Sequence, residues 1–127
     1  MKYTWMDGYL LAKKGVTKDF KAEWNWDRYM IGGKMFAAVC MDENGKPSLI
    51  TLKLEPAEGE FWRGQYEDVI PGYYMNKVHW NSIKADGNVP DDILQEMLDR
   101  SYKLVWKGLP KKEQKKLGLE EETRDDI

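Results

Sequence analysis

A run of alternating side chains, divided twice by glycine-containing turns, most constrains what this chain can fold into. Between Phe20 and Leu54 the side chains follow a period of two, the spacing at which a strand places neighbours on opposite faces. Gly32-Gly33 divides the run once and Asn44-Gly45 divides it again, and both dipeptides tolerate the positive φ angles of a tight hairpin turn. The run therefore predicts an antiparallel meander of at least three strands.

The middle strand of this meander, over 34–41, is apolar on both faces after its first residue. That composition is typical of a central strand that is covered on both sides. Cys40 lies in this strand and is the only cysteine of the chain, which excludes an intramolecular disulfide and a cage of thiolate metal ligands. We expect it to act as a small buried hydrophobic residue.

Three helices are predicted around the meander. The first falls within 3–14, and the second begins at Pro56, since proline is favoured in the first turn of a helix. The third follows Pro90 with two acidic residues in its first turn, continues as an apolar stripe interrupted at Ser101, and ends at Gly108. The elements together predict a single α+β domain with a mostly antiparallel sheet of four to six strands.

Length and charge limit the class of protein. A chain of 127 residues with 42% hydrophobic side chains is enough for one domain with a packed core. We place this domain at residues 1–112 and predict a charged C-terminal tail, frayed or forming a short surface helix, at 113–127. With no membrane span or signal sequence evident, we expect a cytoplasmic monomer that does not bind membranes.

One polar stretch, over 71–83, follows a Pro-Gly turn signal and contains the only histidine. Read as an extended segment, it places Lys77, His79 and Asn81 on one face. Val78 and Trp80 then share the opposite face, which we expect to be buried. The pattern predicts a polar surface strip backed by an indole in the core.

Several of these motifs recur together in one known family. They are Arg28–Met30 before Gly32–Ala37, Pro71–Tyr73 running into Met75–Lys77, His79–Asn81, Ser101–Tyr102 and Leu109–Lys112. With them the sequence resembles the MmcQ/YjbR family over nearly its whole length up to Lys112. The resemblance implies an α+β fold of the kind called CyaY-like, similar to the double-wing DNA-binding domain of a phage transcription factor. It therefore implies DNA or another nucleic acid as a partner, by analogy of fold.

Two positions depart from the family's pattern. Tyr74 stands where the family commonly has histidine, which weakens any metal or acid/base site built on two histidines. Val78 stands where it commonly has a basic residue, which removes a positive charge that a phosphate would use. The net charge of −2 and the pI of about 5.5 do not favour a dedicated phosphate-backbone binder either.

The leading hypothesis is a non-enzymatic binding module. Its candidate binding residues are Lys34, Asn76, Lys77, His79 and Asn81, which would contact phosphates or base edges. The competing structural interpretation is that the asparagines satisfy local backbone groups, the histidine is hydrogen-bonded beside the sheet, and the lysines simply face solvent.

The alternative function is a protein- or small-ligand-binding domain with a polar cleft around His79 and an aromatic wall. If two of the tryptophans at 24, 26 and 62 are exposed together, they mark a binding site rather than packing. An enzyme is the third option and the least favoured. A single histidine without a nucleophile pattern gives no catalytic triad, and no set of metal ligands is evident; no cofactor is predicted.

Overall fold

The computed structural model describes residues 1–72 and 75–119. In chain order its elements are α1 (Met6–Leu11), β1 (Val16–Lys21), β2 (Trp26–Ile31), β3 (Lys34–Met41), β4 (Pro47–Lys53), α2 (Pro56–Gln65), β5 (Val69–Pro71), β6 (Trp80–Lys84), α3 (Asp91–Lys107) and α4 (Lys111–Lys116). The strands form one antiparallel sheet in the order β1-β2-β3-β4-β6-β5. The predicted α+β domain and its three main helices are confirmed.

The predicted hairpin turns lie where the glycines are. Gly32 and Gly33 join β2 to β3 with φ angles of 58° and 79°, which residues with a Cβ rarely adopt. The next turn closes when one carboxylate oxygen of Asp42 accepts hydrogen bonds from the backbone N–H groups of Asn44 (2.8 Å) and Lys46 (3.0 Å). The meander has four strands, in agreement with the predicted minimum of three, because β1 pairs with β2 along its whole length.

The two faces of the sheet have different neighbours. Helices α1, α2 and α3 contribute to one large core with alternate strand residues such as Val39, Ile50 and Ile83; this is the helix-covered face. The strand residues that alternate with these core residues, together with Met75, form a smaller cluster on the opposite face of the sheet, which we call the open face. Its members are Trp26, Met35, Ala38, Cys40, Leu49 and Met75.

Ser101 explains the interruption in the apolar stripe of α3. Its hydroxyl is fully buried, donates a hydrogen bond to the carbonyl oxygen of Phe36 and accepts one of 2.9 Å from the N–H of Lys53. Both are backbone groups of the sheet, one in β3 and one in β4. The serine therefore provides hydrogen-bond partners for two backbone groups, which would destabilise the fold if they were buried without one. The same contacts fix α3 against the sheet.

The C-terminal part of the described chain packs onto the domain. The predicted boundary after Lys112 lies inside α4, and Gln114 and Leu119 beyond it are buried. The amide of Gln114 donates hydrogen bonds to the carbonyl oxygens of Lys107 (3.2 Å) and Leu109 (2.8 Å). Residues 120–127 of the predicted tail lie outside the described residues. None of the described helices is both long and apolar enough to span a membrane.

Candidate functional site on the open face of the sheet

The polar strip predicted for 71–83 does not form, and that prediction is wrong. Lys77 and His79 lie in a turn, and strand β6 begins only at Trp80. Asn76 produces the turn, since its side-chain oxygen accepts a hydrogen bond of 2.8 Å from the N–H of Val78 and its backbone oxygen accepts one of 2.9 Å from Trp80. Asparagine competes with extended structure in this way. Val78, expected to be buried, is exposed.

Asn81 lies beneath α2 and is completely buried. Its side-chain oxygen accepts a hydrogen bond from the guanidinium group of Arg63, and its amide donates one of 3.3 Å to the carbonyl oxygen of His79. Gly59 allows this contact, because a Cβ there would lie 3.1 Å from both polar atoms of the Asn81 amide. The geometry supports the structural interpretation of Asn81, which joins α2 to the sheet.

A cleft of about 610 Å³ lies on the open face. Its described lining consists of Glu23, Trp24, Trp26, Met75, Asn76 and Trp80. Trp24 and Trp26 meet edge to face, with ring centroids 5.1 Å apart. Trp24 is 47% exposed, whereas Trp26 and Trp80 are only 4% and 9% exposed. The cleft thus has two anchored indoles in its wall and one that is accessible to a ligand.

The accessible indole is fixed in place from several sides. Lys21 and Arg28 place their charges 5.3 and 5.7 Å from the centroid of the Trp24 ring, within the range of cation–π attraction. Asn25 follows with a positive φ of 61°, and its amide donates a hydrogen bond of 3.2 Å to the carbonyl oxygen of Asp42. Trp24 is therefore held at the mouth of the cleft before any ligand arrives.

A second hollow, of about 290 Å³, adjoins the cleft and shares Trp24, Met75 and Trp80 with it. Among its other described lining residues are Met30, Met35, Arg28, Lys34 and Lys53. We call it the basic hollow. The guanidinium group of Arg28 is neutralised by two hydrogen bonds, of 2.8 and 2.7 Å, to the carboxylate of Asp19. Within residues 1–72 and 75–119, no carboxylate pairs with Lys34 or Lys53.

The one thiol of the chain lies in the open-face cluster. Cys40 is buried, as predicted, and its Sγ is 3.5 Å from the hydroxyl of Thr51. Burial raises the pKa of the Cys40 thiol to about 11, so it is protonated near neutral pH. Among the described residues, no group of three or more His, Cys, Asp or Glu side chains could hold a metal ion. The groups that line the cleft offer apolar contact and charge.

Comparison with known proteins places the chain in a family. The family model described as YjbR matches residues 11–104. The chain belongs to the YjbR family. It is 32% identical over 109 residues to the uncharacterised protein YjbR of Escherichia coli K12, covering 86% of this chain and 91% of that protein. It is also 34% identical over 92 residues to the uncharacterised protein YbdF of Escherichia coli O157:H7, covering 72% of this chain and 74% of that protein.

Solved structures agree with this assignment. The crystal structure of the Deinococcus radiodurans protein DR2400, with its DUF419 domain, superposes with a TM-score of 0.81 at 30% identity, covering 94% of this chain and 89% of that chain. A Pseudomonas syringae protein superposes with a TM-score of 0.64 at 20% identity over 76% of this chain and 92% of that chain; this likeness concerns the fold. The family that the motifs implied and the α+β class of the fold are confirmed.

Two of the five predicted binding residues are among the described residues that line the cleft or the basic hollow, and three are not. Lys34 lines the basic hollow and Asn76 lines the cleft, whereas Lys77, His79 and Asn81 are not among the described residues that line either. Of the three tryptophans that the sequence singled out, only Trp24 is exposed, so the expected pair of exposed indoles does not occur. Sequence reasoning missed Met30, Met35 and Met75, because unbranched apolar side chains in a strand or a turn give no signal of a site. The cleft is also more apolar than the polar cleft expected around His79.

Proposed function

We propose that this YjbR-family protein is a non-enzymatic binding domain whose ligand site is the cleft on the open face, and that the ligand inserts a planar apolar group there. The observation that carries the proposal is the position of Trp24, which is 47% exposed yet fixed against Trp26 and beneath two cations. An exposed, immobilised indole beside a concave apolar surface is typical of a ligand site.

The dimensions and lining of the cleft support a small ligand. Its volume of about 610 Å³ lies within the usual range of small-molecule sites. Indole faces and edges favour stacked or edge-to-face contact with another ring. Three methionines, at 30, 35 and 75, line the cleft or the basic hollow, and their polarisable, unbranched side chains adapt to ligands of different outline.

The test uses N-phenyl-1-naphthylamine, an uncharged aromatic probe that fluoresces in apolar surroundings. We expect saturable binding to the wild-type protein and a loss of about tenfold in affinity in Trp24→Ala, since removing one stacking aromatic costs about 1–3 kcal/mol. Phe61→Ala is the matched control. Phe61 is also an exposed aromatic residue, at 55%, but lies on α2 at a different hollow.

The same pair of variants defines the contrary result. If Trp24→Ala binds the probe as the wild type does while Phe61→Ala loses it, the ligand site is on α2 and the proposal is rejected. Absence of saturable binding to the folded wild-type protein rejects it as well. Near-ultraviolet circular dichroism of both variants checks that each one retains its packed tertiary structure.

Nucleic acid is the second candidate function. One observation favours it: the accessible ring of Trp24 lines the same hollow as Lys34 and Lys53, which have no carboxylate partner among the described residues, a combination used by proteins that stack single-stranded bases. Two cations are few for this purpose. They would give a salt dependence with a slope of about −1.4 for a single strand or −1.8 for a duplex.

Fluorescence anisotropy separates this candidate from the first. Labelled single-stranded and double-stranded oligonucleotides would be titrated at about 50 and 200 mM salt, a range over which phosphate contacts lose measurable affinity. Binding at the lower concentration that weakens in both Trp24→Ala and Lys34→Gln/Lys53→Gln would establish nucleic acid as the ligand. If neither oligonucleotide binds at the lower concentration, this candidate is eliminated and the small-ligand proposal stands.

A further inference from the structure

We infer that the ligand of the open-face cleft is an organic anion, with its ring against Trp24 and its carboxylate, sulfonate or phosphate group in the basic hollow near Lys34 and Lys53. The inference rests on the proposed function and adds to it the chemical class of the ligand. It follows from how charge is distributed along the two adjoining hollows.

The cations of the basic hollow differ in whether they form an ion pair within the described part of the protein. Arg28 makes a two-point ion pair with Asp19, so its charge is largely satisfied within the protein. Lys34 and Lys53 line the same hollow and have no carboxylate partner in the described part of the chain. An anion there would gain two charge-assisted contacts without breaking an existing pair.

The strand register brings this positive charge beside the aromatic wall. Lys53 ends β4 and lies directly opposite Trp80 of β6, and Trp80 lines both hollows. Lys34 begins β3 immediately after the Gly32-Gly33 turn, where its side chain is exposed. Because Trp80, Lys34 and Lys53 line the same hollow, a ligand that contacts Trp80 lies beside both lysines.

One end of the larger hollow has an acidic side chain in its lining. Glu23 is exposed and lines the larger hollow but is not among the described residues of the basic hollow. An anionic group at that end would be repelled, whereas at the basic hollow it is attracted. An asymmetric ligand is therefore favoured with its ring against the tryptophans and its anionic group beside Lys34 and Lys53, away from Glu23.

Two probes with the same ring skeleton test the inference. N-phenyl-1-naphthylamine is neutral, and 8-anilinonaphthalene-1-sulfonate is the same molecule with one sulfonate group. We expect wild-type protein to bind the sulfonate more tightly. In Lys34→Gln/Lys53→Gln, we expect the sulfonate to lose about fivefold in affinity, as two partly exposed charge pairs would contribute, while the neutral probe changes less than about twofold.

The matched control removes two lysines from another surface. Lys112→Gln/Lys115→Gln changes net charge by the same amount on exposed positions of α4, so it corrects for long-range charge effects. We expect it to leave both affinities near their wild-type values. Raising the salt concentration should weaken the sulfonate and spare the neutral probe, since salt screens exposed charges.

The outcomes distinguish a failure of the anionic ligand class from a failure of the proposed binding function. If the neutral probe binds at the Trp24 cleft but the sulfonate binds no tighter, or if both probes weaken equally in Lys34→Gln/Lys53→Gln, the anionic class is wrong and the binding domain stands. If the α4 control weakens the sulfonate as much as the cleft variant does, net charge explains the preference and the inference fails. If neither probe binds, the proposed function fails, and the inference fails with it.

Discussion

The two faces of the sheet are made by the same strands, yet they carry different kinds of side chain. In β3, Ala37 and Val39 belong to the helix-covered core, while Ala38 and Cys40 belong to the open-face cluster. The helix-covered face is packed with fully buried apolar residues of α1 and α3, and α2 adds the partly buried Trp62. The open face instead has tryptophans and methionines around two hollows, one of which is also lined by Lys34 and Lys53.

This difference indicates that the two faces of the sheet contribute differently to stability and to ligand binding. Burial on the helix-covered face supplies the apolar area that drives folding. A half-exposed tryptophan on the open face contributes less to stability than a buried one, and it adds to the risk of aggregation. We infer that residues of the helix-covered face set the free energy of unfolding and residues of the open face set affinity for the ligand.

The largest expected effect comes from neighbouring residues of β3 that face opposite ways. Phe36 is fully buried and packs edge to face against Tyr102 of α3, so Phe36→Ala should lower the free energy of unfolding by about 3–5 kcal/mol. Met35 is half-buried and belongs to the open-face cluster, so Met35→Ala should cost about 1 kcal/mol. Urea denaturation measures both. Equal losses would show that both faces stabilise the fold alike.

A smaller effect distinguishes the two asparagines that the sequence assigned to one site. Asn81→Ala removes a buried partner of Arg63 and should cost about 1–3 kcal/mol, with little change in affinity for N-phenyl-1-naphthylamine. Asn76→Ala removes a hydrogen bond in an exposed turn and should cost less than about 1 kcal/mol. Denaturation and probe titration of both variants measure this. A ligand-binding defect in a fully folded Asn81→Ala protein would reverse the assignment.

The sequence was informative about the strands, turns and helix ends of the meander and of α3, which are determined locally. The alternation from Trp26 onward, the Gly32-Gly33 turn and the acidic start with apolar stripe of α3 all depend on neighbours within a few residues. Strand β1 has no such signal, because its residues are exposed or half-exposed along its length and it is defined by pairing with β2.

The site was less predictable, because it depends on one unrecognised local turn and on contacts between distant segments. Alternation alone placed His79 and Asn81 together, but the side chain of Asn76 turns the chain before β6, and Asn81 is fixed by Gly59 and Arg63 of α2. The cleft likewise joins Trp24, at the start of the meander, to Met75 and Trp80. No local pattern shows that these segments meet.

The smallest expected effect concerns pH and the attachment of α1 to the helix-covered side. Asp7 accepts hydrogen bonds from Lys18 (2.7 Å) and from Tyr29 (2.8 Å), which hold the pKa of its carboxyl below the ordinary 3.8. Because the folded pKa is lower than the unfolded one, this stabilisation is present above about pH 4 and is lost as pH falls through the folded value.

Asp7→Asn keeps the acceptor oxygen and removes the titration. Urea midpoints measured between about pH 5 and pH 3 should therefore fall less steeply in Asp7→Asn than in the wild type. The carboxyls of Asp19 and Asp42, whose pKa values are also lowered by their hydrogen bonds, titrate in both proteins and provide the common background. Parallel pH curves for the two proteins would contradict a stabilising role for the Asp7 contacts.

The most direct test of the account is the position at which a small aromatic ligand perturbs the backbone. Amide chemical shifts of the labelled protein would be followed during titration with N-phenyl-1-naphthylamine. We predict that the largest shifts fall within residues 23–35 and 75–80, around the cleft of the open face, and that the amide shifts of α2 stay near their ligand-free values. Shifts centred on α2, around Phe61 and Trp62, would contradict the assignment of function to the open face.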